Sequence, residues 1–382
     1  MNIQLLNKIA AVGLDQLDNS YNVGENVENP DGIMVRSAVM HEMEFAPSLK
    51  AIARAGAGVN NIPIERCSEN GIVVFNTPGA NANGVKELAI CALLLAARDV
   101  VGGIAWANTL TEDVAKQVEK GKSKFAGTEL MGKTLGVIGL GAIGGKIANT
   151  AIHLGMNVIG CDPFLSIEGA WNLNHRVSRA ATYDEVFEKA DYITLHVPAT
   201  KETKNMICTE SIAKMKNGVK IINLSRADLV NAAELKVALA DGKVSAYVTD
   251  FPTEEVINTP GVVAIPHLGA STEESEDNCA VMAARELDDY LKNGNIKNSV
   301  NYPNVEMPRS GAARICVLHQ NVPSILTKIT AAVADEGLNI ENMTNKSKGE
   351  NAYTVLDVSS TPSEDAIARI SAVEGINRVR VI

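Results

Sequence analysis

The stretch Thr134-Leu-Gly-Val-Ile-Gly-Leu-Gly-Ala-Ile-Gly144 decides the fold of the residues around it. Gly139, Gly141 and Gly144 form the pattern G-x-G-x-x-G directly after an apolar run that is typical of a buried strand. The residues that follow carry apolar side chains at helical spacing, and a second apolar run leads to Asp162. This order of strand, glycine turn, helix, strand and acid predicts a Rossmann-type dinucleotide-binding unit.

Each glycine of this motif has a physical reason. Gly139 allows the tight turn, Gly141 lets the backbone approach a pyrophosphate, and Gly144 lets the helix pack close to its strand. The helix N-terminus offers unpaired N–H groups and a partial positive charge to the phosphates. The Asp162 carboxylate is placed to accept both ribose hydroxyls and would repel a 2′-phosphate, which predicts NAD rather than NADP.

The composition indicates a folded protein of two or three domains, with 382 residues and a net charge of −10. No basic stripe offsets that charge, which argues against nucleic-acid binding. The six cysteines are scattered without a C-x-x-C pair or a histidine at metal spacing, so we expect free thiols in a reducing compartment and no metal site. The first residues lack the features of a signal peptide, and no run approaches the ~18–20 apolar residues of a membrane span. We therefore expect a cytoplasmic protein that binds no membrane.

Apolar strands alternate with helical patterns on both sides of the glycine motif. Strands are predicted at 32–36, 71–75, 192–197, 219–224, 244–249 and 262–265, and helices at 87–98 and 273–292. Residues 298–312 contain two prolines and little periodicity, which predicts a linker.

A compact unit of alternating patterns follows the linker. Strands are predicted at 314–318, 352–359 and 378–382, and helices at 323–336 and 362–373. If residues 340–346 supply one further strand, the order becomes β-α-β-β-α-β, which is the ferredoxin-like arrangement.

Motifs along nearly the whole chain resemble those of the D-isomer-specific 2-hydroxyacid dehydrogenases. Besides the glycine motif they are Arg54-Ala-Gly-Ala-Gly-Val-Asn-Asn61, Asn76-Thr-Pro-Gly-Ala-Asn81, Asn223-Leu-Ser-Arg226, Pro266-His-Leu-Gly-Ala-Ser-Thr272 and Asn298-Ser-Val-Asn-Tyr-Pro303. The resemblance implies an α/β fold with a Rossmann-type NAD domain inserted into a flavodoxin-like substrate domain, and then a ferredoxin-like ACT regulatory domain. The implied boundaries are 1–94 and 283–305 for the substrate domain, 95–282 for the NAD domain, 306–312 for the linker and 313–382 for the ACT domain. The catalytic cleft is expected between the first two domains.

Three side chains are predicted to carry the chemistry. Imidazole titrates near neutral pH, so His267 is expected to take the hydroxyl proton of the substrate as hydride leaves. The resemblance places a glutamate that holds this histidine five residues after Asp250, which gives Glu255. Alignment on Phe251-Pro-Thr-Glu254 gives Glu254 instead; we prefer Glu255, and the choice stays open. The Arg226 guanidinium is expected to grip the substrate carboxylate with two parallel hydrogen bonds.

The resemblance also implies contacts to the cofactor, the substrate and an effector. The predicted NAD contacts are Thr77, Gly139, Gly141, Ala142, Ile143, Gly144, Asp162, Val197, Leu224, Ser225, Asp250, Gly269 and Ala270. The predicted substrate contacts are Arg36, Arg54, Gly58, Val59 and Asn81, with the two arginines on a phosphate group. Lys86 either adds positive charge near that phosphate or is an exposed helix lysine. His319, Asn321 and Asn339 resemble the residues with which ACT domains bind serine.

The implied reaction is the NAD-dependent oxidation of 3-phosphoglycerate to 3-phosphohydroxypyruvate, the first step of L-serine biosynthesis. Regulation by serine and a homodimer or homotetramer are expected with it. One alternative is an enzyme of the same architecture for another D-2-hydroxy acid, such as glycerate or 2-hydroxyglutarate. Another is an NAD-binding regulator without turnover. Arg36 and Arg54 favour a phosphorylated substrate, and the set of Arg226, a neighbouring glutamate and His267 favours turnover.

Overall fold

The computed structural model describes all 382 residues, and they form two compact units. Residues Met1–Ala80 and Glu276–Ile382 make up one unit, which we call the discontinuous unit. Residues Asn81–Ser275 make up the other, which we call the central unit. The predicted domain boundaries after residues 94 and 282 stay a prediction.

The first part of the discontinuous unit is a parallel sheet. Its strands are β1 (Asn2–Leu5), β2 (Asn22–Gly24), β3 (Gly32–Val35), β4 (Ala51–Arg54) and β5 (Val73–Phe75), and its helices are α1 (Ala11–Leu14) and α2 (Ile64–Glu69). The strands lie in the order β2-β1-β3-β4-β5, which is the flavodoxin-like order predicted for the substrate domain. Strands β3 to β5 are buried almost completely, because α/β sheets of this kind are covered on both faces.

The central unit is a seven-stranded parallel sheet with helices on both faces. Its strands are β6 (Thr134–Ile138), β7 (Asn157–Cys161), β8 (Val177–Arg179), β9 (Tyr192–Leu195), β10 (Val219–Asn223), β11 (Val244–Thr249) and β12 (Val262–Ala264). Its helices are α3 (Ala82–Ala97), α4 (Val100–Ala107), α5 (Val114–Gly121), α6 (Ala142–His153), α7 (Ile167–Trp171), α8 (Tyr183–Lys189), α9 (Thr209–Lys214) and α10 (Ala232–Ala240), with 3₁₀ turns at Lys122–Phe125 and Ala227–Leu229. The strand order β12-β11-β10-β9-β6-β7-β8 confirms the predicted Rossmann-type fold.

Helix α11 (Glu273–Asn293) leads from the central unit into the discontinuous unit and is followed by a second, antiparallel sheet. The strands of this C-terminal sheet are β13 (Ala313–Gln320), β14 (Ile340–Lys348), β15 (Asn351–Val358) and β16 (Ile376–Val381), and its helices are α12 (Ile325–Asp335) and α13 (Glu364–Ser371). The order β14-β15-β13-β16 confirms the ferredoxin-like arrangement, and β14 is the strand that the sequence left conditional.

Both faces of the C-terminal sheet are covered. Helices α12 and α13 pack on the face that carries Ile315 and Leu356. The other face, with Leu318 and Tyr353, belongs to one buried cluster with α11 and the N-terminal sheet. The Tyr353 hydroxyl donates to Gly294 O at 2.6 Å, and Arg380 Nη2 donates to Leu291 O at 2.9 Å. The C-terminal sheet is therefore fixed to the end of α11 by packing and by hydrogen bonds.

The predicted linker at 306–312 contains no helix or strand, yet part of it is packed. Met307 is buried, and its N–H donates to Asn295 Oδ1 at 3.2 Å. An adaptable thioether at this position fills the gap between the two sheets of the discontinuous unit. The segment is a packed connection between the two sheets.

No single helix combines the length and the apolar character that a membrane span needs. Helices α3 and α4 meet the criteria together by length and composition alone, and they are bent by 72° at the break between them.

Candidate active site

The three glycines of the nucleotide motif meet different surroundings in the central unit. Gly139 has a φ of +87°, and a Cβ atom there would lie 2.4 Å from His196 O. A Cβ atom on Gly144 would lie 1.9 Å from Gly139 O. A Cβ atom on Gly141, at the N-terminus of α6, would have no neighbour within 4 Å. The fold itself requires glycine at positions 139 and 144. Gly141 instead leaves open space, in which the motif predicts that a pyrophosphate approaches the protein backbone.

This difference gives a matched pair of substitutions. Gly141→Ala is expected to leave the unfolding temperature unchanged and to weaken NAD binding about tenfold or more, because the added methyl group would enter the open space in which the motif predicts the pyrophosphate. Gly144→Ala is expected to destabilise the protein by about 1–3 kcal/mol, the usual range for overpacking. Thermal unfolding and a fluorescence titration with NADH measure the two effects. Equal loss of stability in both variants would contradict the assignment of Gly141 to the ligand.

Asp162 stands at the carboxyl end of β7 and is held in one orientation. Its Oδ2 accepts a hydrogen bond from Leu140 N at 2.9 Å, and its Oδ1 accepts one from Phe164 N at 2.9 Å. Each carboxylate oxygen keeps a further lone pair, so both are able to accept ribose hydroxyls. The structure thus brings the acid beside the glycine loop, as the motif predicts.

His196 was not singled out by the sequence, although it lies in Leu195-His196-Val197-Pro198 directly after β9. Its Nε2 is 2.7 Å from Thr194 Oγ1, and its Nδ1 is enclosed without a partner. Burial lowers the pKa of His196 to about 3, so the ring stays neutral. The backbone N–H of His196 donates to Ile138 O at 2.7 Å, and its backbone carbonyl lies next to Gly139. His196 therefore supports the glycine loop. The only feature of the sequence that could have indicated His196 is its position at the end of a predicted strand.

The turn after β10 presents Arg226. The Ser225 hydroxyl donates to Leu195 O at 2.6 Å, and Asn223 Nδ2 donates to Arg226 O at 2.8 Å. These bonds fix the backbone, while the Arg226 side chain is exposed and its guanidinium lies 5.6 Å from the centre of the Phe251 ring. A fixed turn with an exposed guanidinium is suited to binding a carboxylate.

His267 follows β12 and also lies close to Phe251. The two ring centres are 4.5 Å apart, and the imidazole is exposed. Neither Glu254 nor Glu255 forms a hydrogen bond or ion pair with His267; both are exposed and line a cavity of about 450 Å³ beside Phe251. The structure brings Arg226, Phe251 and His267 together. The predicted histidine–glutamate pair and the choice between the two glutamates stay predictions.

Asp250 is a buried carboxylate at the same end of the sheet. Its exposed fraction is 1%, its Oδ2 accepts from Gly269 N at 3.3 Å, and its Oδ1 has no partner. Burial raises the pKa of Asp250, and the charges of His267 and Arg226 partly oppose that rise. A buried acceptor without a donor needs an explanation. The carboxamide N–H of a nicotinamide is a donor of the right chemistry, so the residues fit NAD.

The two arginines predicted to bind a phosphate are already engaged in the discontinuous unit. Arg54 Nε donates to Arg36 O at 2.9 Å, and its Nη1 donates to Gly58 O. Arg36 Nη2 pairs with Glu276 Oε1 at 2.5 Å. Arg54 therefore holds the loop in shape, and Arg36 is the arginine with an exchangeable partner. The N–H groups of Gly58 and Val59 donate no hydrogen bond, which leaves them available to a carboxylate.

Comparison with known proteins agrees with this geometry. The NAD-binding domain of the D-isomer specific 2-hydroxyacid dehydrogenases matches residues 94–269. A D-3-phosphoglycerate dehydrogenase of Haemophilus influenzae is 31% identical over 367 residues, which cover 92% of this chain and 86% of that protein. The chain belongs to the D-isomer specific 2-hydroxyacid dehydrogenase family.

Other members of the family show how far the similarity extends. The D-3-phosphoglycerate dehydrogenase of Methanocaldococcus jannaschii is 36% identical over 82% of this chain and 59% of its own length. The chain thus spans little more than half the length of several curated relatives that it matches. The structure of an NAD⁺-bound 3-phosphoglycerate dehydrogenase of Entamoeba histolytica aligns with a TM-score of 0.61 at 30% identity, covering 79% of this chain and 98% of that one.

The remaining predicted contacts occupy ordinary positions in the fold. Thr77 is buried, and its Oγ1 has no hydrogen-bond partner. Asn81 precedes α3 and forms no side-chain cap. Lys86, on α3, lies 3.4 Å from Glu87, so part of its charge is already compensated. Ala142 and Ile143 begin α6, Val197 and Leu224 follow the ends of β9 and β10, and Ala270 lies in the connection between β12 and α11.

The three predicted effector residues do not meet within one chain. His319 is buried on the helix-covered face, where its Nε2 is 2.8 Å from Thr354 Oγ1 and its Nδ1 is 2.8 Å from Gln320 O. Burial lowers the pKa of His319. Asn321 follows the end of β13, whereas Asn339 precedes the parallel-running β14 and so lies at the opposite end of the sheet. Eight residues of strand separate the ends by about 26 Å.

Proposed function

We propose that this chain is a D-3-phosphoglycerate dehydrogenase that oxidises 3-phosphoglycerate with NAD to 3-phosphohydroxypyruvate, the first step of L-serine biosynthesis. The observation that carries the proposal is the group of Arg226, Asp250 and His267 around Phe251, at the carboxyl ends of β10, β11 and β12. Oxidation of a 2-hydroxy acid requires three groups: a cation that binds the carboxylate, a hydrogen-bond acceptor that faces the cofactor, and a proton acceptor. Arg226, Asp250 and His267 are proposed to supply them in that order. The relatives that carry this name support the substrate.

Each side chain has one task in the proposed reaction. NAD, when bound, accepts a hydride from C2 of the substrate. Arg226 holds the substrate carboxylate with its exposed guanidinium. Hydrogen bonds from the Ser225 and Asn223 side chains fix the backbone of the turn that carries Arg226. His267 accepts the proton of the C2 hydroxyl on its exposed imidazole. Asp250 accepts the carboxamide N–H with its unpaired Oδ1 and so orients the reacting ring.

Arg36 is proposed to bind the substrate phosphate, and Glu276 competes with that phosphate. Both side chains of the pair are nearly half exposed, and such pairs contribute about 0.2–1 kcal/mol. Glu276→Gln is therefore expected to lower the KM for 3-phosphoglycerate by roughly twofold to fivefold with kcat unchanged. Initial rates over a substrate series measure the effect.

The matched control is Glu273→Gln, which removes a neighbouring exposed carboxylate of α11 that forms no ion pair. It should leave the KM unaltered. D-Glycerate has no phosphate, so its KM should not change in Glu276→Gln. An equal fall for both substrates would show that Arg36 does not bind the phosphate.

The direct test of the proposed function is NADH formation at 340 nm with NAD and 3-phosphoglycerate, in parallel with D-glycerate and 2-hydroxyglutarate. Turnover of the phosphorylated acid alone supports the proposal. Turnover of another acid would assign the chain to a different substrate within the family. Absence of turnover in both directions, with NAD binding retained, would indicate a regulator.

We further propose that serine binds at the C-terminal sheet and its helices and inhibits the dehydrogenase activity. We also propose that the protein is a cytoplasmic homodimer or homotetramer. Because Asn321 and Asn339 lie at opposite ends of the C-terminal sheet, a serine that contacts both must lie between two copies. His319 is already bonded on both ring nitrogens, so its role would be to support the neighbouring turn. The six free cysteines suit a reducing compartment.

A further inference from the structure

Alternate residues of β14 face the N-terminal sheet. The Thr344 hydroxyl lies 3.4 Å from Met307 Sδ, and Lys348 Nζ donates to Ser299 O at 2.8 Å. Side chains two residues apart on a strand point to the same face. Lys346 lies between these two anchors and therefore projects toward the same segment, residues 298–307.

A cavity of about 650 Å³ lies at this place within the discontinuous unit. Its lining is formed by Asn76, Pro78, Asn298, Ser299, Val300, Pro303, Asn304, Lys346, Ser347 and Lys348. Two lysines are the only ionisable groups in this lining, although the chain carries a net charge of −10. The lining of this cavity therefore carries positive charge and no carboxylate, and both lysines are exposed side chains. Lys348 also lines a neighbouring cavity that contains Glu65, Glu69 and Glu350.

Neither lysine has a carboxylate partner. No ion pair of the structure includes Lys346 or Lys348. Burial lowers the pKa of Lys348, because its ammonium is partly withdrawn from water without an anion in return. The single bond to Ser299 O uses one of the three donors of this ammonium. Asn304 and Ser347 add neutral donors that form no other hydrogen bond.

We propose that the cavity is an anion site, which takes the phosphate group of a small molecule between Lys346 and Lys348. The phosphate comes from inorganic phosphate or from a phosphomonoester, and both present the same oxygen atoms to the two ammonium groups. The site is formed by different residues from those proposed for the substrate phosphate, Arg36 among them.

A bound phosphate would tie the C-terminal sheet to the N-terminal sheet. Lys346 and Lys348 belong to β14, whereas Asn304 belongs to the segment that follows α11. That segment contacts the loop after β5, since Asn76 N donates to Asn298 O at 3.4 Å. Binding is therefore expected to raise the unfolding temperature of the protein, because a ligand that binds only the folded state stabilises it.

The test is calorimetric titration of the full chain with inorganic phosphate and, separately, with glycerol 2-phosphate, at constant ionic strength in chloride. Arg36→Gln serves as the background, so that the proposed substrate site does not contribute. The expected result is one phosphate site in Arg36→Gln, with an affinity about tenfold weaker when Lys346→Gln is added, since a charge-assisted hydrogen bond is lost. Thermal unfolding with and without phosphate checks that each variant is folded.

The matched control is Lys328→Gln in the same background, an exposed lysine of α12 that forms no ion pair. It should leave phosphate binding unaltered. Equal weakening by the Lys346 and Lys328 variants would overturn the site, because it would show only a general effect of charge. Absence of binding in Arg36→Gln would overturn it as well. Tighter binding of glycerol 2-phosphate than of phosphate would assign the site to a phosphomonoester, and the reverse order to the free ion.

Discussion

Replacing His267 with asparagine is expected to lower kcat for the proposed oxidation of 3-phosphoglycerate by roughly 10²- to 10⁴-fold, the contribution of a positioned general base, which is the role we propose for this histidine. Asparagine keeps a hydrogen-bonding side chain against the Phe251 ring but cannot accept the hydroxyl proton. NAD binding should persist, because the glycine loop and Asp162 do not contact this imidazole. Steady-state rates of NADH formation measure the loss of kcat, and a fluorescence titration with NADH measures cofactor binding separately.

The matched control is His153→Asn, which changes an exposed histidine at the end of α6. Its kcat should stay within a factor of two of the unchanged protein, since surface substitutions away from special features have small effects. If the His267 variant kept more than a fifth of the original rate, proton transfer would have to be assigned to another group.

Replacing Asp357 with asparagine is expected to destabilise the protein by about 3–5 kcal/mol, because it leaves a buried cation without its partner. The Asp357 carboxylate accepts hydrogen bonds from Arg314 Nε at 2.7 Å and from Arg314 Nη2 at 2.9 Å, and both side chains are almost completely buried. Ser310 N also donates to Asp357 at 2.8 Å, and Arg314 Nη1 donates to Asn293 O at 2.8 Å. The pair thus connects the predicted linker, the C-terminal sheet and the end of α11, and urea unfolding at neutral pH measures its loss.

The same pair predicts a dependence on pH. Burial alone would raise the pKa of Asp357, but the hydrogen bonds from Arg314 and Ser310 outweigh it and lower the pKa. The stabilisation is therefore present above the ordinary carboxyl pKa of about 4 and is lost as the pH falls through the lowered value. In Asp357→Asn this part of the acid sensitivity should disappear.

Two further variants test the cause. Glu119→Gln breaks an exposed pair with Lys122 and should cost no more than about 1 kcal/mol. The double change Arg314→Met with Asp357→Leu should recover much of the lost stability, since apolar side chains of similar volume often replace a buried pair without cost. A double variant as unstable as Asp357→Asn would show that the geometry of the pair, and not the unpaired charge, matters.

The sequence predicted most of the strands because their patterns are local, whereas it gave bounds for only the longer helices and for α13. Strand β11 was predicted with its observed bounds, and α11 within one residue at its end. Strand β1 and helix α2 are among the elements that were missed, as are β2, β4 and β8, because strands of three or four residues and a helix of six carry little periodicity. Strand β14 was only conditional, since most of its side chains are exposed and its pattern does not alternate between polar and apolar.

The candidate site was predicted in its residue types but not in its pairings. The glycine motif indicated Gly139 and Gly144, and the structure gives the backbone contacts that require them. Arg54 was predicted to face a phosphate, yet its Nε and Nη1 donate to the backbone carbonyls of Arg36 and Gly58, in the loops after β3 and β4. The partner of Arg36 is 240 residues away in the sequence, so no local pattern could have indicated it.

The sequence by itself determined the family, the Rossmann-type and flavodoxin-like parallel sheets and the nucleotide loop, because turn glycines, strand periods and motif spacing are encoded within short stretches. The tertiary structure decided what lies against what. It placed one face of the C-terminal sheet on α11, buried Arg314 against Asp357, left Asp250 with an unpaired oxygen and placed Lys346 and Lys348 in a cavity lining that contains no carboxylate. Burial and pairing arise from contacts between distant segments, and their free energies depend on the surroundings of each group, which a one-dimensional pattern does not contain.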